Sequence, residues 1–374
     1  MQMVLLEGAG DTVHKHYYPC LEGPVNDGAI KLWVTDVLPR PWALFPDGAA
    51  DGNPVPETYF LYKGDTYHGD GKRHIRDKEI LANMAFHIVF VVTPDAWHLK
   101  TAEDWLGRAH RIIVDKAFAP STKEIDDFLT RIGNRRNSED LKRTIWGFDH
   151  YRAATAAVRG NLKHFIRTIG GLEHIEFRLL ETGIVKKHRT EVPGVIQDLA
   201  PHLFALLDLL GDLDSIRILR AVRKRHKDAR RDGDVTKETF AVIEFEFASA
   251  YCDVPSRGRA VVGKGVGKRD EKILLLRGPQ GRLILDFCRG TDRAIVHCVG
   301  DMRRAVDRLC DGHKVMIESL LSGTPEMDHG LLSLDSAREV VRLVEETYQH
   351  SIPPRGSAIQ DVYRVGTPLN ELSI

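Results

Sequence analysis

Val4-Leu5-Leu6-Glu7-Gly8-Ala9-Gly10 decides how this chain is read. Residues 3–6 are short, apolar and closed by glycines, the pattern of a buried parallel strand. The glycines form G-x-G, which lets the chain turn tightly and lets a pyrophosphate approach the backbone. Asp11 and Thr12 then open a helix whose N-terminus would face that pyrophosphate. The third glycine of the G-x-G-x-x-G pattern is absent, and Val13 stands in its place. By itself the motif is weak and also fits a plain strand–turn–helix, but its place on the first strand favours a dinucleotide site.

Working outward, residues 30–35 (IKLWVT) read as a second strand ending at Asp36. A carboxylate there accepts hydrogen bonds from both ribose hydroxyls and repels a 2′-phosphate, favouring NAD over NADP; the nearby Arg40 keeps NADP open. Residues 39–76, rich in Pro, Gly and Asp, read as an irregular insertion, followed by a helix near 77–85. Further strands are expected at 88–92, 111–114 and 144–148, with helices at 97–109 and 122–132. Apolar strands alternating with helices imply a doubly wound parallel sheet of Rossmann type over residues 1–150.

The pattern then changes. Strand-like runs crowd together at 173–181, 215–220, 239–247, 259–262, 272–277, 282–287 and 294–299, some joined by short turns such as Gly278-Pro279-Gln280-Gly281. Short connections favour antiparallel pairing. Helices are expected at 198–210, 302–321 and 335–347, and residues 351–374 read as a tail or arm. The fold class is therefore α/β followed by α+β: a Rossmann domain, then a substrate-binding and oligomerisation domain (151–350) with a largely antiparallel open sheet flanked by helices.

Composition narrows the function. The 374 residues suit two domains. Lys+Arg and Asp+Glu both total 53, so no net field draws the chain to nucleic acid. The basic run 220–231 lacks interleaved aromatics and reads as a solvated face. Five scattered cysteines without a C-x-x-C pair argue against disulfides and zinc and for a reducing cytoplasm. No run approaches the ~20 apolar residues of a membrane span.

Val91-Val92-Thr93-Pro94-Asp95-Ala96-Trp97-His98 is similar to the strand–T-P–x-x-x–H signature of the glucose–fructose oxidoreductase/inositol dehydrogenase (Gfo/Idh/MocA) family. Val114-Asp115-Lys116-Ala117-Phe118 resembles that family's E-K-P motif, with Asp115 for Glu and Ala117 for Pro. Phe148-Asp149-His150-Tyr151 is similar to the I-D-H-Y motif of glucose-6-phosphate dehydrogenase. Gly194-Val195-Ile196-Gln197-Asp198 with His202-Leu203 resembles a later segment of that enzyme, and Gly267-Lys268 resembles its G-K segment. The Asp198–His202 spacing instead matches D-x-x-x-H of the Gfo/Idh enzymes. The I-D-H-Y motif continues with a lysine in its family; here Arg152-Ala153-Ala154 follows.

The resemblance implies an NAD(P)-dependent oxidoreductase acting on a hydroxyl or ketone carbon of a sugar, sugar phosphate or cyclitol. His202 would be the base and Asp149 its carboxylate partner. Lys116 would donate to the reacting oxygen and also touch the cofactor, with Thr93, Pro94 and His98. His150, Tyr151, Arg152 and Lys268 would meet the substrate. An imidazole suits the base role, since its ordinary pKa of ~6.5 leaves a neutral fraction near pH 7. Asp198, on the same helical face as His202, either caps its helix or orients His202 or the substrate. Pro201 fits only a first helical turn, which places the helix start near Asp198. Lys186, Lys187 and Arg189 are either anion ligands or surface charges. A lactone-forming glucose-6-phosphate dehydrogenase-like enzyme is the near alternative, and a non-catalytic dinucleotide or sugar sensor the alternative of another class. An open sheet face leads us to expect a homodimer or homotetramer.

Overall fold

The computed structural model describes residues 1–8, 10, 12–36, 58–62, 80–133, 138–182, 194–224, 238–249, 251, 254–265, 269–288, 293–298, 304–323 and 330–352. The first sheet contains β1 (Gln2–Glu7), β2 (Ile30–Asp36), β3 (Thr58–Tyr62), β4 (Phe86–Val91), β5 (Ala109–Asp115) and β6 (Ile145–Phe148). Their spatial order is β3-β2-β1-β4-β5-β6, and every pair is parallel. That order reverses between β1 and β4, the switch point at which such sheets hold ligands at their carboxyl ends. β3 was not expected: it lies in the stretch read as irregular, where five strand-forming residues (TYFLY) sit among prolines and glycines.

Both faces of this sheet are buried, as parallel sheets require. Leu5, Val89, Val91 and Val114 point to one core; Val4, Leu6, Ile88, Phe90 and Ile113 point to the other. A π-helical turn (Val13–Tyr17) and α1 (Tyr18–Asn26) cover one side. α2 (His98–Trp105), α3 (Thr122–Gly133) and α4 (Ser138–Thr144) follow β4 and β5. Two further helices, α5 (His150–Ala154) and α6 (Ala156–Thr168), lead away from β6.

The second sheet contains β7 (His174–Glu181), β8 (Ile216–Lys224), β9 (Phe240–Phe247), β10 (Ser256–Lys264), β11 (Glu271–Gly278), β12 (Gly281–Asp286), β13 (Arg293–Cys298), β14 (Arg304–Arg308) and β15 (Ser351–Ile352). Its order is β14-β13-β12-β11-β7-β10-β9-β8-β15, antiparallel except for β7 with β10 and β8 with β15. The expected turn at Gly278–Gly281 joins β11 to β12. α6, α7 (Val195–Leu207) and α9 (Leu334–Gln349) pack on one face, where Phe177, Leu179, Ile243, Phe245, Val262 and Leu274 meet Leu162, Phe165, Leu203, Phe204 and Val344.

Two helical expectations shift. The run expected to be helical from 302 is strand β14 first, and α8 (Gly312–Ser322) begins only where Asp311 caps the His313 and Lys314 amides. α7 begins at Val195 rather than Asp198, so Pro201 lies inside the helix. An earlier start is possible because Glu238, far away in sequence, supplies the cap: its Oε1 accepts the Ile196 N–H at 3.1 Å and its carbonyl accepts the Val195 N–H at 3.2 Å. Late segments also complete the first sheet's core, with Met316, Ile317, Leu320 and Leu331 packed among Val4, Leu6 and Tyr17.

Candidate functional site

At the switch point β1 runs into Gly8, whose φ of +105° lies in the region glycine tolerates. A Cβ there would meet the Val92 carbonyl oxygen at 2.8 Å, so the turn and β4 approach closely only without a side chain. Gly10 has open space where its Cβ would be. Thr12 leads into the helical turn, and Asp36 closes β2 half-buried. Asp11, Arg40 and Lys268 lie outside the described residues, as do Lys186, Lys187 and Arg189.

The loop after β4 carries Thr93 and Pro94; the Thr93 hydroxyl is buried and has no partner among the described residues. His98, expected beside the cofactor, is only 1% exposed. Its Nε2 lies 2.6 Å from the Thr93 carbonyl and its Nδ1 2.7 Å from the Ala117 carbonyl. It therefore ties the β4 loop to the β5 loop. Burial lowers its pKa, against the pull of those carbonyls. The Lys116–Ala117 peptide is cis although residue 117 is not proline.

Lys116 reaches across to α7. Its Nζ donates to the Asp198 carbonyl at 2.8 Å and to Asp198 Oδ1 at 2.5 Å. Lys264, at the end of β10, bonds the other Asp198 oxygen. Asp198 therefore does not cap its helix; it sits between two ammonium groups. Burial alone would raise its pKa, yet the two lysines hold it well below the carboxylate range. Burial likewise opposes the charge on Lys116, and Asp198 outweighs it, so that pKa is raised. Glu181, which ends β7 beside Lys264, lies 3.7 Å from Lys264 and 3.6 Å from Lys272 of β11.

One turn further along α7, His202 is buried, with its Nδ1 hydrogen-bonded to Asp149 Oδ2. Asp149 Oδ1 accepts the Arg152 amide at 2.9 Å and so caps α5. The rings of His150 and Tyr151 stand 4.8 and 4.7 Å from that of His202. Burial, then the neighbouring His202 and His313, pushes the His150 pKa well below its ordinary value. Arg152, expected against the substrate, has a buried side chain paired with Asp208 at 2.6 Å. Lys116, Asp149, Asp198 and His202 are thus brought together from β5, β6 and α7.

No protein-family model matches this chain, and no curated protein matches it by sequence. Solved structures do. KijD10, a 3-ketoreductase from Actinomadura kijaniata in complex with NADP and TDP-benzene, superposes with a TM-score of 0.64 at 13% identity, over 94% of this chain and 98% of that one. An oxidoreductase from Thermotoga maritima gives 0.65 at 14% identity, over 93% and 96%. A UDP-N-acetylglucosamine 3-dehydrogenase from Acidithiobacillus ferrooxidans gives 0.60 at 15%, over 94% and 97%. The chain has the fold of these oxidoreductases.

Within that fold, sequence reasoning missed three residues that shape the site. Lys264 carried a signal in the Gly263-Lys264-Gly265 end of a strand, but its pairing with Asp198 is visible only in three dimensions. Glu238 caps the helix bearing Asp198 and His202, and Tyr348 donates to it at 2.9 Å. Gln197 donates to Asp95 at 2.9 Å and links that same helix to the β4 loop.

Proposed function

We propose that this protein is an NAD(P)-dependent oxidoreductase that moves a hydride between the nicotinamide and a hydroxyl or ketone carbon of a sugar, sugar phosphate or cyclitol. The observation that carries this reading is the buried Asp149–His202 pair one helical turn from the Lys116–Asp198 pair, beside the carboxyl edge of a Rossmann sheet. The residues fit a dinucleotide: Gly8 permits the tight turn, Gly10 leaves the backbone open, and the Thr93 hydroxyl awaits a partner. Asp36 favours NAD, through the ribose hydroxyls.

When bound, the nicotinamide accepts or supplies the hydride. His202 then handles the proton: Asp149 occupies Nδ1, which leaves Nε2 to take it from the substrate hydroxyl. Asp149 stabilises the imidazolium that forms. An ammonium has three donors, and Lys116 uses two on Asp198, so the third is left for the reacting oxygen. His150 and Tyr151 flank His202 and would wall the substrate. A sensor has no need of this proton-transfer set. Self-association as a dimer or tetramer would cover the sheet face that carries Ile273, Leu275 and Ile284.

The test is His202→Ala, assayed by the absorbance of reduced nicotinamide against a panel of polyols, sugars and sugar phosphates. Turnover should fall at least ~100-fold while dinucleotide affinity is kept. Unchanged turnover would end the base assignment. Glucose 6-phosphate in the panel separates the lactone-forming alternative, and tight ligand binding without hydride transfer to any member would favour the sensor.

A further inference from the structure

Asp115 closes β5 next to Lys116, and the hydride-transfer scheme gives it no task. Its Oδ1 accepts the Lys116 backbone N–H at 3.0 Å. The Lys116 ammonium, however, is committed to Asp198. Asp115 and Asp149 line one cavity of about 20 Å³, which is room for a single water. Asp149 has His202 and the Arg152 amide to balance its charge. On the other side stands Tyr17, wholly buried, with a hydroxyl that makes no hydrogen bond of ordinary length among the described residues and faces Asp115. The remaining cavity wall near Asp115 is apolar: Val114, Phe118 and Phe148.

Among the described residues, the charged or titratable groups that face Asp115 are Lys116, Asp149 and Tyr17. Two carboxyls that share a site do not both ionise readily, and the one with weaker compensation keeps its proton. Here that one is Asp115. Burial above all, with the charge of Asp149 added, pushes its pKa up to about 7 against the pull of Lys116.

Asp115 ends the strand next to β4, on the carboxyl edge where a dinucleotide lies in such sheets, and it is half-buried there. We propose that Asp115 is a second acid–base group at the nicotinamide end of the crevice, whose ionisation selects the oxidised cofactor over the reduced one; this rests on the oxidoreductase reading. The oxidised ring carries a positive charge and the reduced ring none, so an ionised Asp115 attracts only the former. By linkage, binding of the oxidised form lowers the pKa of Asp115 and releases its proton to solvent.

The experiment is calorimetric titration of the full chain with NAD⁺ and with NADH (or the phosphorylated pair, whichever binds), at about pH 6 and about pH 8, on either side of the Asp115 transition. Paired buffers of different ionisation enthalpy report the proton released. In the wild type the affinity ratio of oxidised to reduced form should rise about tenfold between the two pH values, the size of one unit of pKa coupling. A fraction of a proton should leave on NAD⁺ binding near neutrality. Asp115→Asn should flatten the ratio and abolish that release. A flat wild-type ratio, or the same pH dependence in Asp115→Asn, overturns the proposal while leaving the oxidoreductase reading intact. Failure of every nicotinamide dinucleotide to bind overturns that reading itself. Where Asp115→Asn does not fold, Asp115→Glu serves: a displaced midpoint supports the proposal, and an unmoved one overturns it.

Discussion

Asp149 does two jobs with two oxygens, and they can be separated. Oδ1 caps α5 through the Arg152 amide, and Oδ2 holds His202 by Nδ1. Asparagine keeps an oxygen for the cap but removes the charge that stabilises an imidazolium. Asp149→Asn should therefore lower turnover by about 10²–10⁴-fold with little loss of stability, whereas Asp149→Ala should lose in addition about 0.5–2 kcal/mol for the cap. Turnover and urea midpoints measured on both variants check this; near-normal turnover in Asp149→Asn would remove Asp149 from the mechanism. His98 works at the same scale, since its ring spans the carbonyls of Thr93 and Ala117 and fixes the separation of the two loops.

At the scale of elements, α7 is the part on which the site hangs, because it carries both Asp198 and His202. Its N-terminus has no capping side chain of its own, Gly194 being the cap residue. A Cβ on Gly194 would lie 2.2 Å from a Glu238 carboxylate oxygen, so glycine is what lets that carboxylate reach the Ile196 amide. Glu238→Ala leaves that amide and the Tyr348 hydroxyl unpaired, and should cost about 1–3 kcal/mol. Glu238→Gln should recover most of this. Urea denaturation of the two variants is the check, and equal stability of Glu238→Ala and wild type would dismiss the cap. Such partnerships explain what the sequence hides. The alternating and helical periods of β1, β4, β9 and α9 are local and legible, and so was the Asp198–His202 spacing. Glu238 and Lys264 act on residues far off in the chain, where no local pattern points. β3 was hidden by its proline-rich surroundings and β14 by a run, RRAVDRL, that fits either period. α6 was legible and overlooked, since Val158, Leu162, Phe165 and Ile166 mark one helical face.

Across the whole molecule, buried titratable groups set how stability varies with pH. His98, His150 and His313 are all held below the ordinary imidazole value by burial, His313 down to about 4. In the unfolded chain each takes up a proton near pH ~6.5, and in the folded chain only at lower pH. The unfolded state thus binds more protons in that window, and stability falls as the pH drops from about 6.5 towards 4. Asp115 works the other way, because its raised pKa favours the folded state as acid is added between about 7 and 4. Asp198, with its lowered pKa, loses its contribution only below the ordinary carboxyl range. Among the described, deeply buried groups, three imidazoles against one carboxyl leave a net loss on the acid side. His313 isolates it: the ring packs 5.0 Å from His16 and from Tyr17, 5.1 Å from Phe148 and 5.4 Å from His150, contacts that a phenyl ring can also make. His313→Phe should therefore remain folded and lose less stability than the wild type between pH ~6.5 and ~4, by up to about 3 kcal/mol. Urea unfolding at intervals across that range decides it; parallel curves for the two proteins would mean that His313 takes up its proton in the folded state as readily as in the unfolded one.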